Sequence, residues 1–206
     1  HHENEIAQSM ALNNNHLANY WMHNGHINVE GTKMSKSLGN FILAKDFIKD
    51  KDANTVKLAM FKTHYRLPFN ITEELIDEAK SLNEKIENAI KQAMIDISVN
   101  NLEIDKNFKD NKIDEIMDED FNTPNLISYL LELVKELNTN LRQKKDYIEI
   151  INKIYTITKI LGLKYNYDKL DEDSINLYKE WLLKRSNKDF ESADRIRQEL
   201  ISKGIL

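Results

Sequence analysis

The chain has 206 residues, 41% of them hydrophobic and 31% charged, enough for one large domain or two small ones with a sizeable core. Cysteine is absent, which excludes disulfides and any thiolate metal site built from this chain alone, and with no run of about 18 apolar residues and no signal-peptide pattern a cytoplasmic protein without a membrane partner is expected. The net charge of −5 is unevenly spread: residues 72–120 carry 6 basic and 15 acidic groups, while residues 1–71 carry 8 and 6 and residues 179–206 carry 7 and 5, so both ends are mildly positive and compatible with nucleic-acid contacts.

With 5 glycines and 2 prolines the sequence favours long helices. Residues 3–12 read as a short helix. On it His1 and Glu5 would share a face at i, i+4, a spacing that lets two side chains grip one zinc ion, although a solvated helix face is the simpler reading and zinc wants four ligands. Residues 20–23 and 26–29 read as short strands around the turn dipeptide Asn24-Gly25, with Tyr20 and Trp21 as core residues. Helical patterns begin near Ala44, with residues 46–48 and 56–61 in two helices beneath the loop that precedes them, and residues 65–70 form a closing loop.

Thr72 is a plausible N-cap for a long helix with Glu73 and Glu74 in its first turn and Leu75, Ile76, Ala79, Leu82, Ile86, Ala89, Ile90 and Ala93 at helical spacing. Residues 100–107 are polar and read as a loop. Thr123 is the expected N-cap of the next helix, with Pro124 in its first turn, and Leu126, Leu130, Leu133, Val134, Leu137 and Leu141 are its buried face. A partner helix over 148–161 ends at Gly162, and two last helices, 172–186 and 189–203, end at Gly204.

The chemistry concentrates in Lys33-Met34-Ser35-Lys36-Ser37, between a strand-like and a helix-like run. Two lysines and two serines near glycines make a cationic, donor-rich loop that suits a triphosphate, because ammonium and backbone N–H groups can follow charge as pyrophosphate departs. A lone K-x-x-K would more simply be a solvated surface loop. This pentad, however, resembles the signature loop of class I aminoacyl-tRNA synthetases. The blocks around it, His1 to Ser9, Asn19 to Gly25, Lys33 to Asn40, Thr63-His64-Tyr65-Arg66, Met117 to Pro124 and Lys188 to Arg197, resemble cysteinyl-tRNA synthetase in consecutive order over nearly the whole chain.

That resemblance implies a mainly α chain: the C-terminal end of a class I Rossmann-type α/β catalytic domain, a helical bundle and anticodon-binding helices, over residues 1–71, 72–165 and 166–206. It implies ATP-dependent ligation of L-cysteine to tRNA(Cys) through a cysteinyl-adenylate, with Mg²⁺ accompanying ATP. It also implies a zinc ion that selects the substrate thiolate, softer and more easily ionised than the hydroxyl of serine. By position Lys36 is the principal catalytic residue with Lys33 supporting it. Met34, Ser35, Ser37 and His23 complete the ATP contacts, His1 and Glu5 are two zinc ligands, and Arg185, Phe190, Asp194 and Arg197 are anticodon contacts. Forked arginine donors, a carboxylate acceptor and a stacking aromatic suit base edges and flipped bases. Without the resemblance, Asp194 and Arg197 read as an i, i+3 ion pair on an amphipathic hairpin.

The opening on His1-His2 rather than Met suggests a portion of a longer polypeptide. That polypeptide would supply a parallel sheet, a His-x-Gly-His phosphate motif and two zinc-binding cysteines, so this chain is expected to be inactive alone and a monomer. Two alternatives stand beside the synthetase. One is the cysteine ligase of mycothiol synthesis, which resembles the same zinc and lysine-loop blocks but needs no anticodon reader. The other is a noncatalytic tRNA-binding module.

Overall fold

The lysine loop grows from a small sheet whose turn is set by two left-handed residues. A computed structural model describes residues 2–15, 17–49 and 51–206. Helix α1 covers His2–Asn13, β1 Ile27–Val29 and β2 Thr32–Lys33. Glu30 (φ 47°) and Gly31 (φ 76°) both lie in the left-handed region, the backbone of a two-residue hairpin turn whose twist matches its strands. The register pairs Val29 with Thr32 and Asn28 with Lys33. On its other side β1 runs parallel to β3, Phe69–Ile71, giving the order β2-β1-β3.

The hairpin expected around Asn24-Gly25 is not formed, and residues 20–26 contain no strand. Gly25 instead donates its N–H to the Tyr65 carbonyl at 2.8 Å. A Cβ there would stand 2.1 Å from the Leu67 carbonyl oxygen, so glycine serves close backbone approach rather than a turn. Tyr20, expected in the core, is 91% exposed, while Trp21 is half-buried.

Between β2 and β3 lie α2 (Ala44–Phe47) and α3 (Ala53–Phe61), and Asp52 caps α3 by accepting from the Thr55 N–H at 2.8 Å. Helix α4, Glu73–Val99, is the backbone of the bundle. Thr72 caps it as the sequence indicates, and its buried stripe of Ala79, Ile86, Ala89, Ile90, Ala93 and Ile97 keeps the 3.6-residue period. The alanines in that stripe leave room for α3 and for α6, Thr123–Gln143, to approach closely.

Helix α5, Asn111–Asp118, was not apparent in the sequence, being eight residues long and burying only Ile113. The cap of α6 is Asn122, not Thr123: the Asn122 side chain accepts from the Asn125 N–H and Thr123 already lies in the helix. Leu126, Leu130, Leu133, Val134 and Leu137 are buried as expected and Leu141 packs at the margin. Helix α7, Ile148–Ile160, returns along α6 and ends at Gly162 (φ 63°). There the N–H groups of Gly162 and Leu163 bond the carbonyls of Lys159 and Thr158, the paired bonds of a Schellman ending.

The last hairpin, α8 (Glu172–Ser186) and α9 (Phe190–Ser202), closes the same way at Gly204, with Ile205 bonded back to Leu200. Trp181, Ala193, Leu200 and Ile205 form a second small core against Ile95 of α4. The fold is thus mainly helical, with the small sheet at one end carrying the loop.

Candidate active-site loop and adjoining surfaces

The lysine loop is fastened from within by Asn40. Its side-chain amide donates to the Lys33 carbonyl at 3.2 Å, and its Oδ1 accepts from the Ser35 N–H at 2.9 Å. Ser35 Oγ lies 3.2 Å from Ser37 Oγ and accepts from the Leu38 N–H at 3.3 Å. Gly39 (φ 68°) turns the chain, its N–H bonded to the Lys36 carbonyl at 3.2 Å. Met34 anchors the loop to the sheet by donating its N–H to the Ile27 carbonyl at 2.9 Å, and its Sδ receives the Ile42 N–H at 3.5 Å.

This inward bonding uses the polar groups of Ser35 and Asn40 and leaves the cations outward. Lys33 and Lys36 are exposed, and neither ammonium makes an ion pair among the described residues. Two unpaired cations three residues apart on a hydrogen-bonded loop can meet a polyphosphate without first breaking a salt bridge. Asn40 stands at the end of the block Lys33 to Asn40. Its role as the loop's internal tie is visible only when Lys33 and Ser35 are seen to converge on one amide.

His23 is exposed, and its ring lies 4.4 Å from that of His2 on α1. The tetrad His23-Asn24-Gly25-His26 has the letters of a His-x-Gly-His motif but leads into β1 rather than into a helix, so it presents no helix N-terminus to phosphate. Of the two implied zinc ligands, His1 lies outside the described residues and Glu5 is exposed on α1. Among the described residues no three His, Asp or Glu side chains come close enough to hold a metal ion. The described donors therefore do not make a zinc site by themselves.

A second polar cluster joins the sheet region to the bundle. In the turn between α5 and α6, Asp120 (φ 54°) is followed by Phe121 (φ 55°), two consecutive left-handed residues that aim the Asp120 carboxylate at residues 64–66. Arg66 grips that carboxylate with Nε at 2.5 Å and Nη2 at 3.2 Å, and the Tyr65 hydroxyl donates to it at 2.7 Å. His64 donates from Nε2 to the Asp120 carbonyl at 2.9 Å and accepts the Arg66 N–H at Nδ1 at 3.3 Å. Hydrogen bonds from Arg66 and Tyr65 lower the Asp120 carboxyl to about 2, and the same carboxylate raises the Tyr65 hydroxyl.

On the terminal hairpin Phe190 is 64% exposed at the start of α9, and Asp194 and Arg197 are exposed on the same helix. The ion pair that the simpler sequence reading assigned to Asp194 and Arg197 is not formed. Arg185 stacks its guanidinium 4.8 Å above Trp181, which holds it on the face of α8 while its donors stay in water. An exposed phenyl ring, a carboxylate and two arginines on one hairpin are the groups that single-stranded bases need.

Residues 1–81 match the family described as tRNA synthetases class I (C) catalytic domain, and residues 112–166 match the DALR domain family. The chain is 42% identical over 221 aligned residues to the cysteine–tRNA ligase of Oceanobacillus iheyensis. It is 40% identical over 223 residues to that of Lachnospira eligens and 41% over 221 to that of Staphylococcus aureus strain Newman. Each alignment takes in 100% of this chain and 47% of the relative, so the chain spans about half the length of the curated relatives it matches. Two family matches in order and about two-fifths identity along the whole chain bear out the resemblance read from the sequence: the chain matches the C-terminal portion of the cysteinyl-tRNA synthetase family.

Proposed function

We propose that the chain serves ATP-dependent ligation of L-cysteine to tRNA(Cys), and that Lys33 and Lys36 act on the phosphates. In the first step a carboxylate oxygen of cysteine attacks the α-phosphorus of ATP. The bond to the bridging oxygen breaks, and pyrophosphate leaves with the electron pair as cysteinyl-adenylate forms. Negative charge gathers on the departing pyrophosphate, and fixed ammonium groups lower the barrier because they are already oriented there. In the second step a ribose hydroxyl at the tRNA 3′ end attacks the acyl carbon, loses its proton to solvent, and displaces AMP.

The observation that carries this reading is the pair of unpaired lysines on a loop whose remaining polar groups are tied inward by Asn40. Met34, Ser35 and Ser37 shape the loop, and His23 is proposed beside the adenylate. Arg185, Phe190, Asp194 and Arg197 are proposed as anticodon contacts, which favours a tRNA acceptor over an amino-sugar one. Zinc selection of the substrate thiolate is proposed for the longer enzyme, with Glu5 and His1 as this chain's share of the ligands and Mg²⁺ accompanying ATP. The three regions are proposed as 1–71, 72–165 and 166–206, in a cytoplasmic monomer. No helix among the described residues is long and apolar enough to cross a membrane. On this reading the 206 residues alone do not form adenylate.

The test is charging of total tRNA with labelled cysteine by the complete gene product, with serine as competitor. Cysteine-only charging is expected. Cysteine activation without transfer to tRNA would indicate the amino-sugar ligase, and no activation would leave a tRNA-binding module.

A further inference from the structure

The joint between the sheet and the bundle is only partly filled by side chains, Phe69 of β3 packing against the bundle core. Beside it opens a cleft of about 380 Å³, lined by Ile27 and Phe69 from the sheet, Met117 and Phe121 near the α5–α6 turn, and Ile160 and Leu161 at the end of α7. A cleft open to water adds no apolar packing of its own across the joint. At the edge of the cleft, the contacts of Arg66, Tyr65 and His64 with Asp120 span from one matched family segment to the other.

From this clip an unbroken series of hydrogen bonds reaches the lysine loop. The Tyr65 carbonyl accepts the Gly25 N–H at 2.8 Å, and the Phe69 N–H donates to the His26 carbonyl at 2.8 Å. The parallel pairing of β1 with β3 follows, and the Ile27 carbonyl then accepts the Met34 N–H at 2.9 Å. Gly25 permits no slack in the series, because the Leu67 carbonyl occupies the space where a Cβ would stand. Beyond the side-chain contacts at Asp120, each hydrogen bond of the series is made by backbone, and only short stretches of chain join one to the next, so displacement at Asp120 has a direct route to the loop.

We propose that Asp120 is a positioning residue: through Arg66, Tyr65 and the β1–β3 pairing it sets where the helical bundle holds Lys33 and Lys36 against the departing pyrophosphate. The proposal rests on the synthetase reading above. Asp120 touches no reacting atom on this account. Its effect reaches the chemistry only through the loop, and removing both loop lysines abolishes that effect.

The experiment uses Asp120→Asn in the complete enzyme. The variant keeps the side chain's shape and one acceptor but loses the charge-assisted fork. The rate of cysteine-dependent ATP–pyrophosphate exchange per titrated active site is expected to fall about tenfold, with KM for cysteine within about twofold. In a background carrying both Lys33→Ala and Lys36→Ala the same substitution is expected to cost nothing further. An unchanged rate per active site, or an effect that simply multiplies with the loss of both lysines, overturns the proposal.

On the 206-residue chain itself, amide hydrogen exchange at Gly25 and Met34 is expected to quicken about tenfold in Asp120→Asn while Ile86 and Ile90 in α4 stay protected. Unaltered protection at Gly25 and Met34 overturns the proposal, and so does loss of protection throughout α4, which would make Asp120 a folding residue. A wild-type enzyme with no exchange activity would fail the synthetase reading and take the catalytic role of Asp120 with it. Quickened exchange confined to Gly25 and Met34 would then still report the mechanical link, so the two failures are distinguishable.

Discussion

The side-chain amide of Asn40 donates to the carbonyl of Lys33 across seven residues, at 3.2 Å. Because the same side chain accepts from the Ser35 N–H, one amide closes both limbs of the loop. Asn40→Ala removes both bonds at once and frees the segment that carries Lys36. Adenylate formation is expected to drop about tenfold, since a misplaced cation loses transition-state contact before it loses ground-state binding. Asn40→Asp keeps the acceptor and loses the donor, and should fall between. Pyrophosphate exchange at saturating cysteine measures both.

Lys36→Ala removes an exposed, unpaired ammonium, so the melting temperature should stay within about 1 °C of wild type, as is usual for surface substitutions. Exchange, in contrast, should fall by about two to three powers of ten, the range seen when one transition-state charge stabiliser is lost. Lys33→Ala should cost less. A Lys36→Ala enzyme that exchanges at the wild-type rate would remove the residue from catalysis.

Phe190→Ala and Arg197→Ala should separate the two steps. Both side chains are exposed on α9, away from the helical core, and base stacking on an aromatic ring contributes about 1–3 kcal/mol. Charging of tRNA is expected to lose about tenfold or more in kcat/KM while cysteine activation is unchanged. Asp194→Ala should behave likewise. Equal loss in both steps would mark these residues as structural.

The Asp120 carboxyl, held at about 2 by Arg66 and Tyr65, gives the clip an acid limit. A carboxyl depressed in the folded state contributes stability above its ordinary value of about 4 and loses it as pH falls toward the folded value. The difference in melting temperature between wild type and Asp120→Asn should therefore be constant from neutral pH to about 5 and vanish progressively between about 4 and about 2. A difference that persists unchanged at pH 2 would mean that the Asp120 charge is not what holds the clip.

Leu130 is fully buried between α6 and the rest of the bundle. Truncation to alanine leaves a cavity and should cost about 2–5 kcal/mol in denaturant unfolding. Its effect on exchange activity should appear as fewer active sites rather than as a slower site.

The helical part was legible because its signals are local. Thr72, Gly162 and Gly204 announce helix ends through bonds made within a few residues, and the buried stripe of α4 repeats at the helical period. What the sequence misread was decided at long range. Asn24-Gly25 carries the letters of a hairpin turn, yet its glycine is required by the Leu67 carbonyl more than 40 residues away. The true turn, Glu30-Gly31, was hidden because glutamate at positive φ is uncommon. Thr123 lost its capping role to Asn122 because the preceding left-handed pair, Asp120 and Phe121, brings the asparagine into reach of the Asn125 N–H. The lysines proposed for the site are named by their spacing and the family resemblance. Asn40 and the Asp120 clip are not, since neither partner reveals the other until the chain is folded.

The parallel pairing of β1 with β3 also orders events in time. Residues 27–29 cannot meet residues 69–71 until residues 30–68 between them, α2 and α3 included, have closed into a loop. Closure of that length costs entropy before any strand pairing repays it, whereas α4 and the α6–α7 hairpin form from neighbouring residues. The helical bundle can therefore assemble first and serve as the surface on which the lysine segment is later laid down. The lysine loop is expected to be the last part secured during folding and the first released when the protein is warmed.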